Sequence, residues 1–138
     1  MILRFLCDVM LGKLGSWLRI FGQDTGIVSD KLDDREILEK AKREDRVVLT
    51  RDKDLKKINS SVEVFLIRSK DFEDQIRKVF NKFDIEPGFP ESSRCSHCNG
   101  ELKSVGKDEW ICKNCSHEYW KGSHWKRIKK LQRELKNL

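Results

Sequence analysis

Several features are missing from this chain of 138 residues. No apolar run approaches the roughly 20 residues that a membrane-spanning helix requires. The first six residues are too short for a signal peptide and lack its small-residue cleavage pattern. Internal repeats and low-complexity segments are also absent. The sequence therefore gives no indication of membrane insertion or export, and we expect a cytoplasmic protein.

Proline is scarce, and both prolines fall in the segment Pro87-Gly88-Phe89-Pro90. Because proline cannot continue a helix, this segment predicts a domain boundary. We therefore divide the chain into a domain of residues 1–86, a linker of residues 87–93, a cysteine module of residues 94–120 and a basic amphipathic tail helix of residues 121–138.

The first domain alternates short apolar runs with segments of helical periodicity. The runs predict strands at residues 2–7, 25–28, 47–49 and 62–67. Such alternation implies right-handed crossovers and a mainly parallel sheet with helices on both faces. The expected fold class is α/β, in three α/β/α layers, with the small cysteine module and the basic helix appended.

Cysteine occurs five times, and four of the five form two C-x-x-C pairs. The pairs are Cys95 with Cys98 and Cys112 with Cys115, separated by 13 residues. Each pair can hold one ion from a tight turn, and two pairs complete a tetrahedral zinc site. The spacer is typical of a hairpin. We therefore predict a zinc ribbon whose structural Zn²⁺ supplies much of its folding energy.

Other roles for these cysteines are weaker. A redox pair is expected near the βαβ region, and catalytic zinc needs an open coordination position that four thiolates do not leave. His97 and His117 adjoin the ligand cysteines, and either can replace a thiolate, although a place on the surface or a hydrogen bond to a thiolate suits them better. The remaining Cys7 lies in a predicted buried strand and is expected to be a core residue rather than a nucleophile.

The positive charge is concentrated in the C-terminal third. Residues 91–138 contain 11 Lys or Arg against six Asp or Glu, whereas residues 1–90 contain 18 against 17. A basic segment of this kind suits RNA or DNA, although a solvated basic surface is the alternative.

The tail combines an apolar stripe with a basic face. The stripe, which we expect to pack on the body, comprises Trp125, Ile128, Leu131, Leu135 and Leu138. The basic face offers Lys126, Arg127 and Lys130 as candidate contacts to an RNA backbone. Trp120 is a candidate for stacking on unpaired bases, and its alternative role is to pin the tail to the cysteine module.

Six aspartates follow predicted strands. Asp8 follows the first strand, Asp30, Asp33 and Asp34 follow the second, and Asp52 and Asp54 follow the third. The carboxyl ends of parallel strands share one edge, so these groups can converge there. Clustered carboxylates repel one another unless a cation joins them, and Mg²⁺ or Mn²⁺ prefers oxygen ligands.

Bound at this edge, one or two such ions would support phosphodiester hydrolysis. The alternative is that Asp33 or Asp34 caps the second helix, that Asp52 caps the short helix after it and that Asp54 is a surface residue. Lys13 and Arg51 are nearby cations that can contact a substrate phosphate. The alternative is that both are solvent-exposed side chains without a role in binding.

Four segments resemble one known family. They are Phe5-Leu6-Cys7-Asp8-Val9-Met10-Leu11-Gly12-Lys13-Leu14, Trp17-Leu18-Arg19-Ile20-Phe21-Gly22, Leu49-Thr50-Arg51-Asp52 and, after the ribbon, Tyr119-Trp120-Lys121-Gly122-Ser123-His124-Trp125. Together they resemble the Mut-seven C-terminal RNase domain family. The resemblance implies a PIN-like fold, a C-terminal zinc ribbon and metal-dependent RNA cleavage.

By matching position, the resemblance implies catalytic roles for Asp8, Asp52, one of Asp33 and Asp34, and Asp54. The sequence departs from the family where Gly15-Ser16 replaces Ala-Arg, so an arginine near the site is missing. Two rival hypotheses stay open. One is a non-catalytic RNA- or ribosome-binding module, and the other is the toxin of a toxin–antitoxin pair, with a protein partner.

Overall fold

A four-stranded parallel sheet forms the centre of the body. The computed structural model describes residues 2–138, and its first four strands are β1 Arg4–Cys7, β2 Asp24–Ile27, β3 Val47–Thr50 and β4 Val64–Leu66. They lie in the order β2-β1-β3-β4, and every neighbouring pair is parallel. The α/β class with a parallel sheet is therefore confirmed.

Helices cover both faces of this sheet. They are α1 Gly12–Ile20, α2 Asp34–Glu44, α3 Lys53–Lys57 and α4 Phe72–Phe83, and a short 3-10 turn, Val9–Leu11, precedes α1. Leu11, which ends this turn, is buried. None of the helices within residues 2–138 is long and apolar enough to cross a membrane.

Two apolar clusters join the layers. Phe5 belongs to the cluster under α1 and α4, whereas its neighbour Leu6 belongs to the cluster under α2 and α3. The two side chains belong to different clusters because successive residues of a strand point to opposite faces of the sheet. Both side chains are fully buried, and burial of a side chain of this size contributes about 1.5–3 kcal/mol.

Cys7 belongs to the first cluster and is fully buried. Burial raises the pKa of its thiol to about 12 and outweighs the opposing charge of Arg19. A thiol of this kind stays neutral near neutral pH, which agrees with a core role rather than a nucleophilic one.

The C-terminal part forms a second, antiparallel sheet and a helix. Its strands are β5 Leu102–Gly106, β6 Glu109–Cys112 and β7 Glu118–Trp120, in that order, and the helix is α5 Trp125–Lys136. The hairpin was predicted, but β7 was not. Ile128, Leu131 and Leu135 of α5 are buried in the same cluster as α1 and α4, as expected.

The prediction for Leu138 is wrong. The helix ends at Lys136 with Asn137 as its C-cap, so position 138 is not on a helical face, and its side chain is 57% exposed.

Residues 87–93 pack against the body. Pro87 is buried, and the backbone N–H of Gly88 donates to the carbonyl of Phe21. The side chain of Gln132 donates from α5 to the carbonyls of Pro87 and Phe89. The segment thus connects α1, α4 and α5, while the domain boundaries themselves stay a prediction.

The cysteine module docks at the start of β2. The Asn99 side chain accepts a hydrogen bond from the backbone N–H of Thr25 at 3.0 Å and donates to Asp24 at 2.7 Å. From α1, the Arg19 guanidinium donates to the carbonyl of Ser96 at 3.0 Å. Asp24 pairs with Arg4 at the amino-terminal end of β1. The module therefore lies at the edge of the sheet opposite to the aspartates.

Asp24 is the charged centre of this contact. Burial alone would raise the pKa of its carboxyl, but hydrogen bonds from Asn99 and Arg46 and the charges of Arg46 and Arg94 outweigh it. The pKa of Asp24 is consequently held below its usual range, and the carboxylate stays ionised under the module.

Candidate metal centres

Asp8 lies where β1 ends and is held by two hydrogen bonds. One carboxylate oxygen accepts from the backbone N–H of Val9 at 2.6 Å and caps the 3-10 turn. The other accepts from the hydroxyl of Thr50 at 2.8 Å. Because an ionised carboxylate has about four acceptor positions, these two bonds orient Asp8 and leave capacity for a cation.

Asp52 follows β3 and caps α3. Its carboxylate accepts from the backbone N–H of Asp54 at 2.8 Å, and its own backbone N–H donates to the Thr50 hydroxyl at 2.9 Å. The fully buried Thr50 therefore joins Asp8 and Asp52 through a single oxygen. Asp54 lies in the first turn of α3 and is exposed.

Asp33 and Asp34 have different surroundings. Asp33 is the N-cap of α2: its carboxylate accepts from the backbone N–H of Glu36 at 2.9 Å in a capping box. Asp34 begins the helix and is half-buried. Desolvation raises the pKa of Asp34, and the negative fields of Asp52, Asp8, Asp54 and Asp33 raise it further. Asp34 thus faces the other carboxylates, whereas Asp33 turns back onto its own helix.

We call this set the acid edge: Asp8, Asp33, Asp34, Asp52 and Asp54. Within residues 2–138, no three of these carboxylates have oxygens within 4.8 Å of one another, since only the cysteines form such a group. Desolvation and then the negative charges of the neighbouring aspartates raise the pKa of Asp34, and an all-oxygen donor set fits a hard divalent cation.

The four cysteines of the module do converge. The sulfurs of Cys95, Cys98, Cys112 and Cys115 all lie within 4.8 Å of one another. The Cys95–Cys115 separation is 3.7 Å and the Cys98–Cys112 separation is 3.5 Å. Tetrahedral zinc with Zn–S bonds of about 2.3 Å places sulfurs about 3.8 Å apart, so this cluster has the dimensions of a zinc site.

The protonation of the thiols supports the same interpretation. A hydrogen bond from the Asn114 side chain lowers the pKa of Cys98 to about 6. At Cys115, a hydrogen bond from the backbone N–H of His117 lowers the pKa. Desolvation and the neighbouring cysteines outweigh this bond and raise the pKa to about 12. Four crowded thiols cannot all ionise without a cation, and a bound divalent metal would remove that conflict.

His97 and His117 are not part of the sulfur cluster. Their rings stack on each other with centroids 5.6 Å apart, and both side chains are exposed. Tyr119 approaches the site more closely, because its hydroxyl lies 3.0 Å from the sulfur of Cys95. The residue beside the cysteines that the sequence did not single out is thus Tyr119.

The six predicted RNA contacts fall in several places. Lys126 and Lys130 are exposed on α5, and Trp120 is 60% exposed at the end of β7. Arg51 lies between Thr50 and Asp52, and its Nε is enclosed without a hydrogen-bond partner in the described part of the chain. Lys13 and Arg127 lie over aromatic rings of the body.

Thr50 is the site residue that sequence reasoning missed. It ends an apolar strand and continues the β-branched pattern of that run, but its hydroxyl holds both Asp8 and Asp52. The signal that could have found it is a threonine two residues before an aspartate, a spacing that permits a side-chain to backbone hydrogen bond.

The fold and the two sites define a class: an α/β protein with carboxylates along one sheet edge and a four-cysteine module at the other. The Mut7-C RNAse domain family matches residues 3–111. The chain belongs to this family, which confirms the resemblance drawn from its motifs. No curated protein and no solved structure matches the chain.

Proposed function

We propose that this protein is a PIN-like ribonuclease that depends on Mg²⁺ or Mn²⁺ and hydrolyses RNA phosphodiesters at the acid edge. The observation that carries the proposal is the Thr50 hydroxyl, which donates to the carboxylate of Asp8 and accepts from the backbone N–H of Asp52, so that two aspartates are held together at the carboxyl ends of β1 and β3. Family membership supports the same class of chemistry.

Each carboxylate has a distinct part in this proposal. Asp8 and Asp52 hold the cation, and the Thr50 hydroxyl joins the carboxylate of Asp8 to the backbone of Asp52. Asp34 supplies the third carboxylate, and Asp33 maintains the helix that presents it. Asp54, exposed one residue beyond the start of α3, orients water or a second ion.

Asp8, Asp34 and Asp52 would hold a divalent cation at this edge, where it would supply activation of water and stabilisation of the leaving oxygen of a phosphodiester. The protein itself needs no nucleophile, in keeping with the neutral, buried Cys7. Lys13 and Arg51 provide positive charge beside the carboxylates, where the substrate phosphates would otherwise be repelled. This chain has Gly15-Ser16 where the family has Ala-Arg, and we assign the role of that arginine to Lys13 and Arg51.

The C-terminal part serves stability and RNA binding. Structural zinc held by Cys95, Cys98, Cys112 and Cys115 closes the module as a zinc ribbon. The basic face of α5, with Lys126, Arg127 and Lys130, provides further contacts to the RNA backbone.

The test is cleavage of a labelled single-stranded RNA by the wild type and by the Asp8→Asn/Asp52→Asn variant. We expect the variant to lose cleavage while its zinc content, thermal stability and RNA affinity are retained. If the variant cuts as fast as the wild type, the acid edge is not the active site. If the wild type binds many RNAs and cuts none, the protein is a binding module instead.

A further inference from the structure

An aromatic cavity lies between the cysteine module and α5, away from the acid edge. Its lining includes Trp110, Tyr119, Trp120, Trp125 and Phe89, together with Ile20 of α1. Its volume is about 120 Å³. That volume is well below the roughly 300–1,000 Å³ of sites for drug-sized ligands, so the cavity suits a single ring.

The rim of this cavity is positively charged. The ammonium of Lys121 lies 5.6 Å from the ring centroid of Trp125, and that of Lys129 lies 5.6 Å from the ring centroid of Phe89. An apolar, aromatic floor with cations at its rim matches a planar base attached to a phosphate backbone. It does not match an uncharged apolar peptide, which would gain nothing from the two lysines.

Two cations, Lys13 and Arg127, lie along α1 between the acid edge and the cavity. Lys13, Trp17 and Ile20 occupy one face of α1, at positions i, i+4 and i+7. The ammonium of Lys13 lies 4.9 Å from the ring centroid of Phe72, and the guanidinium carbon of Arg127 lies 5.5 Å from that of Trp17. The eight steps from Gly12 to Ile20 span about 12 Å.

From these observations we propose that the cavity is a subsite for one unpaired nucleobase of the RNA, several nucleotides from the scissile bond. This inference rests on the proposed ribonuclease function and narrows its substrate class to RNA with a single-stranded segment. The backbone between the two sites follows Lys13 and Arg127 along α1. A base in a duplex cannot enter the cavity, because its faces are stacked on its neighbours.

The proposal is tested by RNA binding in the non-cleaving Asp8→Asn/Asp52→Asn protein, loaded with zinc. Fluorescence anisotropy with labelled oligoadenylate is compared for Trp120→Ala, Trp120→Phe and Val105→Ala. Trp120 is 60% exposed, so its removal hardly affects the fold, and Val105 is a matched control that is 55% exposed in the same sheet. Zinc content and thermal unfolding verify that each variant is folded.

We expect Trp120→Ala to weaken binding of the single strand at least about fivefold, the lower limit for loss of one stacked base. Trp120→Phe restores most of the affinity, and Val105→Ala leaves it unchanged. When the labelled oligoadenylate is paired with oligouridylate, its affinity for the protein should not change with any of the three substitutions. Replacing Lys121 and Lys129 by Gln lowers the slope of log affinity against log salt by about 0.7 for each phosphate that the protein no longer neutralises.

The proposal is overturned if Trp120→Ala binds the single strand like the wild type, or if single strand and duplex lose affinity equally. Its failure is distinguishable from failure of the proposed function. If RNA cleavage depends on metal and is unaffected by Trp120→Ala, the proposed ribonuclease function stands and the subsite proposal is wrong. If RNA binding depends on Trp120 but the wild type cuts no RNA, the subsite proposal stands and the ribonuclease proposal is wrong. If the protein binds no RNA, both proposals are wrong.

Discussion

At the scale of single residues, Asp33 and Asp34 have different roles: one caps a helix and the other is a candidate metal ligand. From the sequence, either residue could take either role. Asp33 caps α2, and Asp34 faces the other carboxylates. An aspartate at the start of a helix satisfies both patterns, so spacing alone cannot separate a cap from a ligand. The choice depends on where each carboxylate points, which only the packed helix determines.

We predict that Asp34→Asn lowers RNA cleavage by more than roughly 100-fold, because losing a group that merely supports a metal ligand already costs about 10–100-fold. The same substitution should raise thermal stability without divalent cations, since it removes one charge from a repelling cluster. Activity assays and thermal unfolding with and without Mn²⁺ measure the two effects.

Asp33→Asn is the matched control, because asparagine is also a good N-cap. It should leave both cleavage and stability nearly unchanged, whereas Asp33→Ala should cost about 1 kcal/mol of stability with cleavage retained. The assignment is wrong if cleavage depends on Asp33 rather than on Asp34.

Thr50 gives a second prediction at this scale. Thr50→Val keeps the shape but removes the hydroxyl, which leaves the N–H of Asp52 and one oxygen of Asp8 without this partner. We expect a loss of about 1–3 kcal/mol in the free energy of unfolding and roughly 10–100-fold slower cleavage. Denaturant unfolding and cleavage rates measure these effects, and Thr50→Ser should restore both. Full activity in Thr50→Val would show that the acid edge does not need this bridge.

At the scale of elements, the first turn of the cysteine module depends on Gly100. A Cβ at this position would lie 2.8 Å from the sulfur of Cys112 and 3.2 Å from that of Cys98. Neither sulfur can retreat without distorting the ligand cluster.

Gly100→Ala should therefore weaken zinc binding, seen as faster zinc loss to a chelator, while the parallel sheet persists by circular dichroism. Gly106→Ala is the control, because its Cβ would meet only the end of the flexible Glu109 side chain, at 3.0 Å. Equal zinc retention in the two variants would contradict the steric argument.

The sequence predicts the elements of this protein better than their contacts. Apolar runs located the four strands of the body, and the two cysteine pairs located the module. Strand β7 was missed because Glu118-Tyr119-Trp120 is too short to have a pattern of its own, and it forms by pairing with β6. The bonds of Asn99 to Thr25 and Asp24 join residues more than 70 positions apart, which no local pattern can reveal.

At the scale of the whole molecule, the cysteine module contacts the body around Asp24, but none of its residues belongs to the two apolar clusters of the body. Removal of zinc should therefore unfold the module and leave the body folded. Cys7 is a reporter for the body, because burial raises the pKa of its thiol to about 12.

Alkylation counted by mass spectrometry should show three stages. The zinc-loaded protein resists labelling, chelation exposes the four cysteines of the module, and only denaturant exposes Cys7 as the fifth. If Cys7 is labelled together with the other four after chelation, module and body unfold as one cooperative unit and the proposed domain boundary is wrong.

The central claim is that the acid edge works through a divalent cation. Its most direct test is cleavage of single-stranded RNA by protein that retains zinc but has been stripped of other metals, with Mg²⁺ and Mn²⁺ then added separately. We predict no cutting before addition, cutting that saturates with added Mg²⁺ or Mn²⁺, and no recovery in the Asp8→Asn/Asp52→Asn variant. Cleavage that persists in the stripped protein, or that the variant also recovers, would contradict the claim.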